Sequence, residues 1–384
     1  MAPTVSTGHE DSYTGAVTVV RQLDAALDMY SPKDFPFLQR VGLNSFPGTI
    51  ENTKIEWQQD ELLPITDVLG AAITSTTATQ ITATYAEYFA LHDLIRLDDE
   101  LMRVLSIDAT NNYLTVERGF AGSTAATHLI SITIYRLGSA RPEGSSPGWA
   151  QQVAVSQTYN YSQIWDAMVS ITGTEAALKN YAPDDLLAYR LDKRMSELYM
   201  MMERALWYNN FRYVGTATAP RVTAGADFWV ADKNNIASAA VTFDDIEDAM
   251  SDVMARAGVV NAPNSLWTNA WGKRKISSWG VNSIRTERTE NTVGNEITVI
   301  ETNFGTLEVV LDVLVKESEM WLLNPSKIMI GPMNGRGFKE IDASVAGDDL
   351  TKHRILGEYA FVFKGEDGSN AGLNVKLYGI STTL

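Results

Sequence analysis

In NTKIEWQQDEL, residues 52–62, Lys54, Glu56 and Gln58 alternate with Ile55 and Trp57. A period of two marks a strand with one dry face and one wet face. The same alternation returns in QITATYAEYFAL, in Met102–Asp108, in Tyr113–Glu117 and in LISITIYRLG. DATNN joins the middle pair and has turn chemistry. Residues 49–158 therefore read as β-rich, with the loop SARPEGSSPG toward their end, and residues 65–140 as a small β module inserted in them. Upstream, VRQLDAALDMY puts Val20, Leu23, Leu27 and Tyr30 on one helical face, and Pro32 and Pro36 then break regularity. Such an arm buries little by itself and needs another surface.

The period then changes to that of a helix. In APDDLLAYRLDKRMSELYMMMERALWYNN, residues 182–210, the apolar positions Leu187, Leu191, Met195, Leu198, Met202 and Ala205 fall at alternating steps of four and three. That predicts one stripe running about 40 Å. Pro183, Asp184 and Asp185 suit a helix start, and Arg190, Lys193, Arg194, Glu197 and Glu203 are expected largely off the stripe. VTFDDIEDAMSDVMARAG predicts a helix with a capping-box start at Thr242 and Asp245, a buried stripe of Ile246, Met250 and Val253, and a stop at Gly258. NSLWTNAWGKRKISSW predicts a strand followed by a helix, and NSIRTERTENTVGNE an exposed charged loop. TNFGTLEVVLDVLVK, EMWLLNPSKIMIG, EYAFVFK and GLNVKLYGI predict strands. The fold class is α+β.

Composition narrows the function. The 384 residues allow two or three domains and a large core. There is no cysteine, which excludes disulfides, thiolate nucleophiles and Cys-ligated zinc. A net charge of −16 disfavours sequence-reading contact with nucleic acid. No stretch is long and apolar enough for a membrane helix, and the N-terminal residues lack the pattern of a secretory signal.

Candidate chemistry is sparse. The four histidines, His9, His92, His128 and His353, have no metal-ligand spacing among them. There is no nucleophile elbow, no P-loop and no dinucleotide fingerprint. Ser123, Thr124 and His128 could form a nucleophile with a base, but Gly119 and Gly122 fit a turn better. DGSN at 367–370 reads as a hairpin turn, and Asp98/Asp99 and Asp348/Asp349 as solvated charge. No catalytic, cofactor-binding or metal site is expected. Parts unable to bury themselves favour an assembling protein over an enzyme.

The order of several segments sharpens this. SPKDFPFLQRVG resembles the N-terminal arm motif of tailed-phage major capsid proteins, with Phe35 where that motif has a small polar residue. NTKIEWQQDEL, VERGFAGSTAATH with RPEG, SQTYNYSQIWDAMVSITGTEAAL, and TNFGTLEVVLDVLV through WLLNPSKIMI are similar to later signatures of the same family, in order. The resemblance is to the Hong-Kong-97-type (HK97-like) capsid fold, in the SU10-like major head protein branch. It implies an N-terminal arm at 1–46 and an extended loop at 47–157 carrying the β module. It also implies a peripheral domain at 158–238 and 336–384 with a spine helix at 184–210, and an axial domain at 239–335. It implies a major capsid protein that self-assembles into hexamers and pentamers around double-stranded DNA, in the virion, with scaffold, portal and decoration proteins as partners. No cofactor is implied. Ile55, Trp57, Phe35, Phe37, Arg285 and Arg288 are the expected intersubunit contacts, so Trp57→Ala is expected to hinder assembly while the monomer stays folded. An encapsulin-like compartment, a β-rich tail or adhesin protein, and an unrecognised hydrolase are the alternatives.

Overall fold

The computed structural model describes residues 34–141, 143–144, 153–178, 185–283, 298–370 and 372–382. The chain falls into two compact units, Met1–Trp57 with Thr158–Leu384, and Gln58–Gln157. The arm enters as helix α1 (Pro36–Val41), with Phe37, Leu38 and Val41 buried. Proline suits a first helical turn because its missing N–H would have no partner there. Gly42, at φ 81°, ends the helix in backbone that a side chain would strain. Strand β1 (Lys54–Gln59) follows, with Ile55 and Trp57 on its dry side.

The unit Gln58–Gln157 holds strands β2 (Thr66–Val68), β3 (Gln80–Thr82), β4 (Asp93–Leu97), β5 (Glu100–Asp108), β6 (Tyr113–Glu117) and β7 (Thr133–Ser139). Their order is β2-β7-β4-β5-β6-β3, with antiparallel neighbours. A bridge between Leu69 and Ala83 joins the two outer strands, with the Gly70 N–H on the Thr82 carbonyl at 2.8 Å and Thr84 on Val68 at 3.0 Å. The sheet thus closes on itself, which leaves no long open edge. Leu69, Ile81, Ile95, Leu97, Met102, Val104, Leu114, Val116 and Ile134 form its core. In the turn between β5 and β6, Asp108 accepts from the Thr110 and Asn111 N–H groups.

The alternation of residues 80–91 does not make one strand. Only Gln80–Thr82 pair, and Ala86–Tyr88 form a 3-10 turn. The Tyr85 N–H goes to the Asp67 carboxylate at 2.9 Å and the Ala86 N–H to the Asn112 side chain at 3.3 Å. Side-chain acceptors here replace the ladder that alternation alone suggests.

The chain continues through β8 (Ser156–Tyr161), paired with β1, then β9 (Gln163–Thr172), α2 (Gly173–Ala177) and the long helix α3 (Leu186–Tyr208). After these come α4 (Ala226–Trp229), β10 (Asp232–Asn235), α5 (Phe243–Ala257), β11 (Ser265–Thr268) and α6 (Ala270–Ser283). The rest is strand: β12 (Val299–Thr302), β13 (Gly305–Leu311), β14 (Glu319–Leu323), β15 (Ile328–Pro332), β16 (Lys339–Asp342), β17 (Leu350–Phe363) and β18 (Val375–Tyr378). The caps follow the sequence. Asp185 accepts from the Ala188 N–H at 3.0 Å, and Thr242 and Asp245 close a reciprocal capping box. Ile246, Met250 and Val253 are all buried.

Two sheets organise this unit. Strands β10-β18-β14-β11-β13-β12 make a mixed sheet over the core that contains α5. Strands β15-β17-β16, with β9 along β17 for ten residues, make the other, packed with α3 around an aromatic core. The boundaries expected at 239, 335 and 336 are crossed by hydrogen bonds. β10 and β18 lie in the sheet of β11–β14, and β15 pairs with β17. The reason is burial, since Val375 and Leu377 complete the core beside Ile246 and Met250.

Candidate functional site

One face of α3 carries Tyr199, Glu203 and Trp207, four residues apart, and the arm lies along it. Phe35 sits 5.3 Å from Tyr199, and Phe37 sits 4.3 Å from Trp207 and 4.9 Å from Trp267, between ring centroids. Between these rings the Glu203 carboxyl accepts the Phe37 and Leu38 backbone N–H groups, at 3.1 and 3.3 Å. Glu203 is fully buried, not on the wet side of the helix as the stripe suggested.

A second acid faces it. Asp312, also buried, accepts the Trp207 indole N–H at 2.7 Å and the Leu314 N–H at 2.7 Å. It shares a hydrogen bond with Glu203 as well. Burial, with the Asp312 charge and that hydrogen bond, pushes the Glu203 carboxyl up to about 9. Further along the arm, Arg40 grips Glu308 at 2.8 Å, raising the guanidinium and lowering the carboxylate. Ser45 and Phe46 then bond Ile330, and Ile50 bonds Pro332 and Asn334. The arm is a strap held at several points, with one buried acid pair at its head.

Ile55 and Trp57 were expected partly against a neighbouring subunit. The chain itself already covers them, with Trp57 only 7% exposed and 5.1 Å from Trp229. Phe37 is likewise inside its own core, whereas Phe35 is half-buried. Alternation shows that a side chain is buried but not by which chain. The expected effect of Trp57→Ala therefore moves from assembly to folding. Arg285 and Arg288, with the charged loop that carries them, lie outside the described residues.

The β module holds buried carboxylates too, Glu100 among them. Glu100 takes both Arg118 Nε and Nη2, at 2.7 and 2.8 Å, and also the Gly119 and Ala126 N–H groups. His128 Nε2 lies 3.0 Å from Glu100, and its Nδ1 lies 2.8 Å from Asp98. Burial alone would raise this carboxyl. The Arg118 bond and the other donors outweigh burial and hold it down at about 2. Ser123 is spent elsewhere, with its hydroxyl on Leu101 and Phe120 backbone atoms, and His128 is bonded to Asp98 and Glu100 instead. Gly119 and Gly122 shape the turn at φ 58° and 85°. DGSN is a turn in which Asp367 accepts from Ser369 and Asn370. Among the described residues, no group of three or more His, Cys, Asp or Glu could hold a metal ion. Nor is any helix there long and apolar enough to cross a membrane.

The model of the SU10 major capsid protein family matches residues 5–375. The chain belongs to the SU10 major capsid protein family. It is a major capsid protein, a structural component of the phage virion shell, with the HK97-like capsid fold. A structural family suggests a non-enzymatic part, and assembly into an oligomeric capsid follows from membership. No curated protein matches this chain. Among solved structures, the cyanophage A-1(L) capsid is similar at 12% identity and TM-score 0.54, covering 97% of this chain and 99% of that one. Mycobacterium phage Bobi is similar at 12% identity and TM-score 0.50, over 96% and 98%. The SrpI encapsulin of Synechococcus elongatus PCC 7942 covers only 60% of this chain, at 9% identity and TM-score 0.42.

This SU10-family protein also leaves large apolar side chains uncovered. In the unit Gln58–Gln157, Leu62 is 94% and Ile65 74% exposed, with Leu129 and Ile130 also bare. In the other unit, Val260 is 91% exposed beside an exposed Val259, after α5.

Proposed function

We propose that this capsid protein forms hexamers and pentamers that close an icosahedral shell around double-stranded DNA. The exposed apolar segment at Leu62 and Ile65 carries the reading. Single bare apolar residues are ordinary on a monomer, but neighbouring ones point to a contact. Burying one Leu or Ile is worth roughly 1.5–3 kcal/mol, and a ring repeats the gain at every subunit. In this reading residues 1–46 act as the arm, 47–157 as the extended loop and 158–238 with 336–384 as the peripheral part. Residues 239–335 act as the axial part, with β10 and β18 extending its sheet. Of the six contact residues read from the sequence, Phe35, Arg285 and Arg288 are assigned to a neighbour. Ile55, Trp57 and Phe37 are assigned to the chain's own core.

Scaffold, portal and decoration proteins are the partners proposed for assembly. The charge of −16 suits a lining that does not adhere to packaged phosphate. The test is to express the chain alone and combine negative-stain electron microscopy with light scattering. Closed shells, or rings of five and six, are expected. A fixed trimer, or a monomer at all salt and protein concentrations even with a scaffold supplied, overturns the reading. Leu62→Asp with Ile65→Asp should block assembly and leave the melting curve of the unassembled chain unchanged.

A further inference from the structure

We propose that the buried Glu203–Asp312 pair is a proton-held latch for the arm, so that losing the shared proton loosens α1 from α3. Three observations carry this. First, the arm is fixed at its head by Glu203, which takes two adjacent backbone N–H groups of α1 at 3.1 and 3.3 Å. Second, the acid that meets it, Asp312, is buried and already bound to Trp207 and Leu314 at 2.7 Å each, so it cannot turn away without leaving the buried Trp207 indole N–H unpaired. Third, among the described residues no Lys or Arg forms an ion pair with Glu203. Arg40 on the arm is turned to Glu308, and Lys316 lies over the Tyr208 ring and against Glu319. Among the described residues, Tyr208 also feels the Asp312 charge; its hydroxyl accepts the Lys316 N–H at 2.8 Å, and burial keeps it protonated well past neutrality.

Two carboxylates in a dry pocket without a cation cannot both ionise cheaply. One shared proton turns the contact between the two carboxyls into a hydrogen bond, while their oxygens go on accepting the surrounding N–H groups. The carboxyl of Glu203, neutral in the docked state, accepts the arm's N–H groups and gives its own proton to Asp312. Removing that proton places two negative charges side by side under Phe37. The least costly relief is to admit water, which requires the Phe35–Phe37 segment to lift from Tyr199, Trp207 and Trp267. The same latch would respond to a cation or a neighbouring subunit's basic side chain that satisfied Asp312 in place of the proton.

The sign follows from linkage. With the arm docked, burial and Asp312 push Glu203 up to about 9 from the 4.5 of a free carboxyl, against the opposing pull of the arm's two N–H groups. Docking is therefore strongest below the free value, weakens as pH rises, and levels off above the docked value. The test is amide hydrogen exchange at residues 37–42 of the full chain, corrected for intrinsic exchange, at pH 6 and pH 9.5. In the wild type the arm's opening constant should rise at least about ten-fold between the two. In Glu203→Gln, which keeps an acceptor and a donor but cannot ionise, the change should be less than about three-fold. Asp312→Asn provides the second variant should Glu203→Gln not fold, and it should open less at pH 9.5 than the wild type does. Equal opening of wild type and Glu203→Gln at both pH values overturns the latch, as does Asp312→Asn opening as much as the wild type.

Discussion

Glu100 and Glu203 are both fully buried and behave oppositely. Glu100, in the β module, is held at about 2, and Glu203, on α3, is pushed up to about 9. Burial raises both. The difference lies in the company each keeps, since Glu100 has Arg118, His128 and two N–H groups, while Glu203 has two N–H groups and another acid. A buried carboxylate with a cation is a fixed staple, released only in strong acid. A buried carboxyl without one depends on a proton, and what it holds can be released near mild alkali. The module is thus stapled by charge, whereas the arm's attachment is conditional.

The largest effect expected from breaking this contrast is Arg118→Ala. It leaves Glu100 buried without its cation, and removing one partner of a buried pair costs about 3–5 kcal/mol. Denaturant unfolding followed by a module-specific probe would measure it, and a loss below about 1 kcal/mol would show that the N–H donors alone suffice. Trp57→Ala should cost a similar amount, about 3–5 kcal/mol, through a cavity beside Trp229. If instead the isolated chain keeps its stability and only assembly fails, Trp57 belongs to an intersubunit contact after all.

Acid titration sharpens the comparison next. Glu100 is free at 4.5 and held at about 2, so its contribution is present above the free value and is lost as pH falls through the held one. That amounts to at most on the order of 3 kcal/mol, a slope that Glu100→Gln should abolish. The arm latch runs the other way, weakening as pH rises. The smallest effect is expected for Arg40→Ala. Both partners of the Arg40–Glu308 pair are substantially exposed, so its loss should cost less than about 1 kcal/mol and shrink further in high salt. A larger effect would make this pair, and not Glu203, the principal anchor of the arm.

Much of the scaffold was legible in the sequence because it depends on local interactions. The capping box at Thr242, the stop at Gly258, the strands Glu100–Asp108 and Tyr113–Glu117 and the length of α3 all follow from residues a few positions apart. The family, too, was legible, from the order of segments and not from any one motif. Glu203 was not. Its phase lies one residue beyond Met202, outside the apolar stripe, and what covers it is an arm 165 residues away. The available signal was Tyr199 and Trp207 placed one turn to either side, which marks a second buried face.

The sequence by itself determined which segments are helix or strand, which side chains leave water, and the family to which they belong. These rest on periodicity, capping and composition, which act over a few residues. Tertiary structure alone decided what each buried side chain meets. It put Trp57 against Trp229 of the same chain, set β18 beside β14 and not with the neighbouring β17, closed the module at Leu69 and Ala83, and placed Asp312 against Glu203. Burial is a property of a residue's pattern, but the electrostatic consequence of burial depends on partners brought together from distant parts of the chain.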